Sequence, residues 1–387
     1  MKKKICFITS SPYTANAFLA PHIHALSSRY EVHLLVNNLD DICVLNSKLP
    51  ASVLHAPIQR KISPIRDLLA LYSLLSVMMR ERFWAVQSIA PKAGFLAMTS
   101  AWMIRVPIRV HIFTGQVWLT RHGFVRSLLR WIDWWIARVA THVLVDSSSQ
   151  RDFLVAEGVV EIGKAQVLAS GSVCGVDTTR FAPSSRARAI MRRELGIPTD
   201  ATVLLYLGRL APDKGVFDLA RAFNQLTQEP ALRDCHLLMV GPDDGAIASR
   251  IQEICGECND RLHMVGYTQQ PEVYMAASDL FVLPSYREGF GSVLIEAGSV
   301  GLPAVATRIY GVTDALDEGV TGLLYSPGEI AELILALKCL MLDDSLRQRM
   351  GNNARERVMR LFSTHRLCEA MLAFYQSLIE GGQGSLK

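Results

Sequence analysis

ATVLLYLGRLAPDKGVFDLARAFNQLTQ, residues 201–228, is the stretch whose reading decides the fold. An apolar run ends at a glycine, a short polar loop follows, and VFDLARAFNQLTQ then reads as a helix. A strand that feeds a helix through a tight loop is half of a βαβ unit, and such units build parallel sheets with right-handed crossovers. The rhythm repeats. CHLLMVG (235–241), RLHMVGY (261–267), LFVLPS (280–285) and LPAVAT (302–307) are further strand candidates, with GSVLIEAGSVG among the helices between them. Upstream, KICFITS (4–10), EVHLLVN (31–37), VLHA (53–56), FWAVQSIA (83–90), IRVHIFT (108–114) and HVLVDSS (142–148) alternate with helical patterns such as SPIRDLLALYSLLSVMMRER. The expectation is an α/β protein with two Rossmann-like, doubly wound domains, 1–180 and 190–360, which meet near 175–195. A C-terminal helix at about 362–380 is expected to pack back onto the first domain.

At 387 residues the chain exceeds one ordinary domain, and 50% hydrophobic with 20% charged residues is a globular composition. The formal charge of +4 hides an asymmetry: residues 1–180 carry 20 Lys+Arg against 11 Asp+Glu, and the remainder 20 against 25. A basic half suits an anionic partner, whether nucleic acid, phospholipid or a phosphorylated substrate. No helix-turn-helix, zinc or RNA-reading signature accompanies it, so nucleic acid is not expected. The apolar part of MKKKICFITSS is too short for a secretory segment, and LLALYSLLSVMM (68–79) is too short to span a bilayer. A soluble or peripheral cytoplasmic protein is the expectation. Eight cysteines are too few for a disulfide scaffold, and Cys255 with Cys258, the one CxxC, lacks a second ligand pair for zinc.

Ligands of open α/β sheets bind where strands end and loops enter helices. After VLLYLG, the loop GRLAPDKG offers Gly208 for close backbone approach. Arg209 can fork onto a phosphate, and Lys214 adds a charge ahead of a helix N-terminus that favours anions. After LFVLP, SYREGFGSVLIEAGSVGLP (285–303) offers Gly289, Phe290 and Gly291, a turn that can expose successive N–H groups, with Ser292 as a candidate helix cap. Glu288 and Glu296 stand eight positions apart around that turn. Carboxylates suit sugar hydroxyls rather than phosphates, so acids and cations together describe a nucleotide-sugar site.

GRLAPDKG, LLMVGPDD, DLFVLPSYREGFGSVLIEAGSVGLPAVAT and GVTGLLY together resemble the successive motifs of the family 4 retaining glycosyltransferases, including an E-x7-E element at Glu288 and Glu296. That resemblance implies the GT-B fold, with two domains facing each other across a cleft. It implies a nucleotide-sugar donor, expected to be UDP-linked, and a glycan acceptor. Arg209 and Lys214 would then contact the diphosphate and Glu288 the donor sugar. Amides near Gly289, Phe290 and Gly291 would hold sugar and phosphate, and Glu296 the ribose hydroxyls. No cofactor and no metal are expected, in keeping with the absence of any Asp-x-Asp. The first half departs from the family pattern. Ser10, Ser11 and Pro12 stand where relatives have Gly-Gly, and Thr114-Gly115 where they have His-Gly, leaving Thr114, Gly115 and Gln116 as candidate sugar or acceptor contacts. His111 reads as a strand residue.

QVWLTRHGFVRSLLRWIDWWIARVA (116–140) combines Trp118, Trp131, Trp134 and Trp135 with Arg121, Arg126, Arg130 and Arg138. It reads either as an interfacial element on an anionic membrane or as a buried helix with a cationic outer stripe. The first option suggests a polyprenyl-diphosphate-linked acceptor in bacterial polysaccharide or O-antigen assembly. The other classes weighed are a nucleotide-sugar epimerase or hydrolase, a sugar-binding scaffold, and a dinucleotide-dependent oxidoreductase. The last lacks support because KICFITSSPYTAN has no glycine for a G-x-G-x-x-G loop.

Overall fold

Most of the apolar runs become strands covered on both faces, whereas the edge strand Ser52–His55 is largely exposed. In the computed structural model, which describes residues 2–37, 45, 48–59, 63–243 and 245–384, the chain divides into two units, Met1–Gly175 with Thr364–Lys387, and Val176–Ser363.

The first unit holds β1 (Lys4–Thr9), β2 (Glu31–Val36), β3 (Ser52–His55), β4 (Ala85–Ile89), β5 (Ile108–Phe113), β6 (His142–Val145) and β7 (Ala165–Val167). They form one sheet in the order β3-β2-β1-β4-β5-β6-β7, with β1 parallel to both β2 and β4. Side chains alternate across a strand, so Ile5 and Phe7 enter one core with Leu34 and Tyr375, while Cys6 and Ile8 enter the other with Leu74 and Trp118. This two-sided burial explains why the strands read as continuous apolar runs rather than alternating ones. The C-terminal helix Thr364–Gly384 belongs to this unit. Its Tyr375 is fully buried and donates a 2.6 Å hydrogen bond to Gln87 Oε1 on β4.

The second unit contains β8 (Val203–Leu207), β9 (His236–Val240), β10 (Leu262–Val265), β11 (Leu280–Leu283), β12 (Ala304–Thr307) and β13 (Gly322–Tyr325), ordered β10-β9-β8-β11-β12-β13. From β8 the chain winds outward to β10, then returns to pair β11 beside β8. The loops leaving β8 and β11 therefore diverge from adjacent strand ends. That is the switch point at which doubly wound sheets open a crevice.

A buried cation ties this unit together. Arg192, on the helix Ser185–Glu194, donates to the carbonyls of Ala277, Pro198, Thr199 and Ala201 and pairs with Asp279 at 2.7 Å. Asp279 also accepts from Arg188 and from the backbone N–H of Val203, the first residue of β8. The buried guanidinium is met by one carboxylate and four carbonyls, so its charge is paired and its donors are hydrogen-bonded, which is the condition for keeping an arginine inside.

Candidate functional site

The loop after β8 begins at Gly208, whose carbonyl lies where a Cβ on Gly241 would meet it at 1.9 Å. Tyr206 Oη donates to the Arg209 carbonyl at 2.6 Å and fixes the turn. The Arg209 side chain is exposed. The loop tightens through Pro212–Lys214 to Gly215, which caps the helix Val216–Leu226 with φ of 67°. Glycine is required there. Its conformation is left-handed, and a Cβ would meet the Pro284 carbonyl at 1.9 Å.

Pro284 opens the second loop, so the two loops are in backbone contact. Tyr286 N–H donates to the Asp213 carbonyl at 3.0 Å. Beyond it, Lys214 Nζ lies 2.7 Å from Glu288 Oε1, both side chains being mostly buried at 17% and 15% exposure. Arg287 Nη2 lies 3.0 Å from Asp213 Oδ2. Further along, Tyr286 Oη donates to Asp218, which also pairs with Arg221 at 3.1 Å.

Gly291, with φ of 74°, occupies the cap position of the helix Ser292–Val300, and no side chain caps it. The expectation of Ser292 as the cap is corrected: glycine reaches the left-handed turn without strain, so serine becomes the first helical residue. Phe290 is 2% exposed, its ring 5.4 Å from Phe362 in the core. Its side chain anchors the turn, and only its backbone is left for a ligand. The Gly289 carbonyl is backed by Gly311, where a Cβ would meet it at 2.1 Å.

Glu296 sits in a different electrostatic setting. Burial pushes its carboxyl from 4.5 up to about 7, helped by Glu272 and opposed by Arg180. Arg180 holds Glu272 at 2.9 Å and donates to the Gln269 carbonyl at 2.6 Å. Among the described residues no hydrogen bond or ion pair joins Glu296 to Lys214 or Glu288. One carboxylate of the spaced pair is thus neutralised by a lysine, and the other is held at a pKa near neutrality.

The loops that leave β8 and β11 thus set two cations against two acids at adjacent strand ends. A family model described as "Glycosyl transferases group 1" matches residues 187–357, and one described as "Glycosyl transferase 4-like domain" matches residues 16–171. The chain belongs to the family 4-type glycosyltransferases. Two relatives are 26% identical to this glycosyltransferase. One is the capsular polysaccharide biosynthesis glycosyltransferase CapM of Staphylococcus aureus, over 85% of this chain and 86% of that protein. The other is the UDP-Gal:alpha-D-GlcNAc-diphosphoundecaprenol alpha-1,3-galactosyltransferase of Escherichia coli, over 83% and 82%. Among solved structures, sucrose-phosphate synthase of Thermosynechococcus elongatus superposes with a TM-score of 0.82 at 22% identity, covering 98% of this chain and 100% of its own. Anabaena HepE in complex with UDP-glucose gives 0.78 at 19%, covering 97% and 99%. The two parallel α/β sheets are those of the GT-B fold.

Sequence reasoning on this glycosyltransferase missed Asp213, Arg287, Tyr286 and Asp218, whose pairings link positions 68 to 74 residues apart. It also missed Gly311. A glycine after the β12 strand was the one available signal.

In the first unit, Gln116 is 1% exposed and donates through Nε2 to the Thr114 carbonyl at 2.8 Å. Gln150 Nε2 donates to the same carbonyl at 2.8 Å and lies 3.3 Å from Gln116 Oε1. The Gln116 amide is thus engaged within the loop, whereas the Thr114 and Gly115 side of the turn is partly exposed. His111 is enclosed. It hydrogen-bonds Ser88 Oγ at 2.8 Å beneath Gly94, where a Cβ would meet its ring at 2.3 Å, and burial holds its pKa down to about 3.

The tryptophans of 116–140 divide. Trp118 is fully buried, its indole N–H donating to Asp133 at 2.8 Å, and burial pushes that carboxyl up to about 7. Trp135 is half-buried and donates to Thr99 at 3.1 Å. Trp131 and Trp134 are exposed on the helix Gly123–Val139, as are Phe124 at 79% and Leu128. Arg126 and Arg130 flank them and reach Glu157 at 3.7 and 3.5 Å. The helix Pro64–Glu81 buries Ala70, Leu74 and Met78 and turns Ile65, Leu68, Leu69 and Tyr72 outward. No helix among the described residues is long and apolar enough to cross a membrane.

Proposed function

We propose that this glycosyltransferase moves a hexose or N-acetylhexosamine, with retention of anomeric configuration, from a UDP-sugar to a polyprenyl-diphosphate-linked glycan during bacterial polysaccharide assembly. The observation that carries the reading is the pairing of Lys214 with Glu288 at the β8–β11 switch point, where a cation and a hydroxyl acceptor stand side by side. Arg209 and Lys214 bind the diphosphate and stabilise the negative charge that grows on it as the sugar bond breaks. Glu288 accepts from the sugar hydroxyls. The Gly289, Phe290 and Gly291 amides and Gly208 line the sugar and phosphates, and Glu296 accepts from the ribose. The leaving diphosphate oxygen takes the acceptor proton on the face it vacates, so the incoming hydroxyl attacks from that side. Two side-chain cations suffice to balance the diphosphate, and the reading calls for no metal or cofactor. Thr114, Gly115 and Gln116 form the acceptor side of the proposal, with Thr114 and Gly115 as the contacts and Gln116 as their support.

The donor class is supported by the relative named for UDP-Gal and by the neighbour solved with UDP-glucose. The acceptor class is supported by the diphosphoundecaprenol in the same relative's name. A lipid-linked acceptor requires work at a membrane surface. The outward apolar faces of Pro64–Glu81 and Gly123–Val139, with Arg121, Arg126 and Arg130 beside the latter, suit the cytoplasmic face of an anionic bilayer, where aromatic rings sit at headgroup depth and guanidiniums meet phosphates.

Thermal shift across UDP-, GDP- and ADP-sugars tests the donor, since a ligand that binds the folded form raises its melting point with concentration. Stabilisation by UDP-sugars that is lost in Lys214→Ala is expected. No stabilisation by any nucleotide sugar overturns the reading. Flotation with phosphatidylglycerol vesicles tests the surface, and failure to float at low salt removes the membrane part alone.

A further inference from the structure

We propose that Asp213 and Arg287 are positioning residues for the donor site, a second ion pair that keeps the β8 and β11 loops joined when Lys214 turns from Glu288 to a phosphate. The inference rests on the donor reading above and assigns a role to two residues outside it.

The two loops meet as acid–base against base–acid, Asp213-Lys214 facing Arg287-Glu288. Either acid could take either base. The observed pairing is reciprocal, with Asp213 to Arg287 at 3.0 Å and Lys214 to Glu288 at 2.7 Å. The backbones are locked in that register by Tyr286 N–H to the Asp213 carbonyl at 3.0 Å and by the close approach of Gly215 to Pro284. Lys214 Nζ lies 3.5 Å from the Arg287 carbonyl, so the amine already sits over the partner loop. Neither member of the outer pair is freely solvated, with 16% exposure for Arg287 and 26% for Asp213.

A donor in this site changes the inner pair. A phosphate draws the Lys214 ammonium, and the sugar hydroxyls become partners of Glu288. The force that held the loops together through those two side chains is then spent on the ligand. The outer pair needs no such exchange, because the Asp213 and Arg287 charges are already matched to each other. It also removes a competitor. Without Asp213, the Arg287 guanidinium stands next in the chain to Glu288 and can take that carboxylate in a bidentate pair. Glu288 would then be turned from the sugar, and a misplacement of about 1 Å at a reacting group can cost about a hundredfold in rate.

The experiment compares Asp213→Asn, Arg287→Gln, Arg287→Lys and the charge-exchanged Asp213→Arg with Arg287→Asp double variant. Calorimetry reads UDP binding, and UDP release reads turnover of the UDP-hexose that the donor screen selects. The neutral single variants are expected to lose about ten- to a hundredfold in kcat with UDP affinity within about threefold of wild type. The Lys variant keeps most activity, and the exchanged pair recovers at least about tenfold over either neutral variant. A general structural role predicts neither the kcat-selective loss nor the recovery. Wild-type kcat in both neutral variants overturns the proposal, as does a double variant whose loss is the sum of two single losses. If the wild type itself binds no UDP, the donor reading falls and this role with it. If the wild type is active and the variants match it, only the positioning role falls.

Discussion

Replacing Glu296 with glutamine separates what this residue costs the empty protein from what it gives the bound one. Its carboxyl is raised by burial from 4.5 to about 7. An acid with a raised folded-state pKa stabilises the fold in its protonated form. That stability is complete below pH 4.5 and is lost as the pH climbs toward 7, because the unfolded chain ionises freely while the folded one resists. At about 1.4 kcal/mol per pKa unit, the handicap carried by wild type at pH 8 is about 3 kcal/mol, and at pH 5 about 1 kcal/mol. Glutamine has nearly the same shape and no charge, so Glu296→Gln should melt higher than wild type at pH 8 and close to it at pH 5. For a unit of this size the gap at pH 8 corresponds to about 5–10 °C. UDP binding should move the opposite way. A charged acceptor to ribose hydroxyls is worth about 1.5–3 kcal/mol, so the variant binds UDP about ten- to a hundredfold more weakly at pH 8. Wild-type affinity should fall toward that of the variant as the pH drops below 7, by at most about the same ten- to a hundredfold, with the variant's own profile accounting for the titration of UDP. Melting curves and calorimetry at pH 5 to 8 read both effects. A melting gap that does not change with pH refutes the raised pKa, and unchanged UDP affinity refutes the ribose assignment.

Lys214→Ala should lower turnover about a hundred- to a thousandfold by removing charge from the leaving diphosphate, while the orphaned, mostly buried Glu288 costs about 1–2 kcal/mol in a melting curve. Gly215→Ala should destabilise by at least about 1 kcal/mol, through the left-handed conformation and the clash with Pro284, and lower UDP affinity with it. Arg192→Leu leaves Asp279 with one cation instead of two and is expected to cost about 2–4 kcal/mol in denaturant unfolding. Leu69→Asp with Phe124→Asp should abolish flotation with anionic vesicles while leaving UDP binding unchanged.

The alternation of strands and helices was legible because a parallel sheet buried on both faces writes continuous apolar runs, and all eleven expected strands are present within a few residues. β7 and β13 were not anticipated as strands. Each has only three or four residues at a sheet edge, where few neighbours impose an apolar pattern. In the second unit the positions of Gly208, Arg209, Lys214 and Glu288 were readable, since a strand end, a glycine and a helix start are all local. Their mutual arrangement was not. That Asp213 would take Arg287, or that Gly311 would back Gly289, depends on which strands become neighbours, and that is fixed only by the order in which the sheet is wound.

The first unit shows the same limit from the other side. Trp118 and Trp131 are alike in composition and neighbourhood, yet one lies in the core against Asp133 and the other is 49% exposed. Helical spacing separates faces of one helix, but Trp118 precedes that helix in a short 3-10 turn, Val117–Thr120, where the helical count does not apply. The outward stripe of Ile65, Leu68, Leu69 and Tyr72 has the i, i+3, i+4, i+7 spacing that normally marks a buried face. Ala70, Leu74 and Met78 form a second apolar face on the same helix, and it is this narrower one that the sheet takes. A helix apolar on two sides satisfies one side by folding. The other is left exposed, and it is the face that the proposed lipid-linked acceptor would bring against a bilayer.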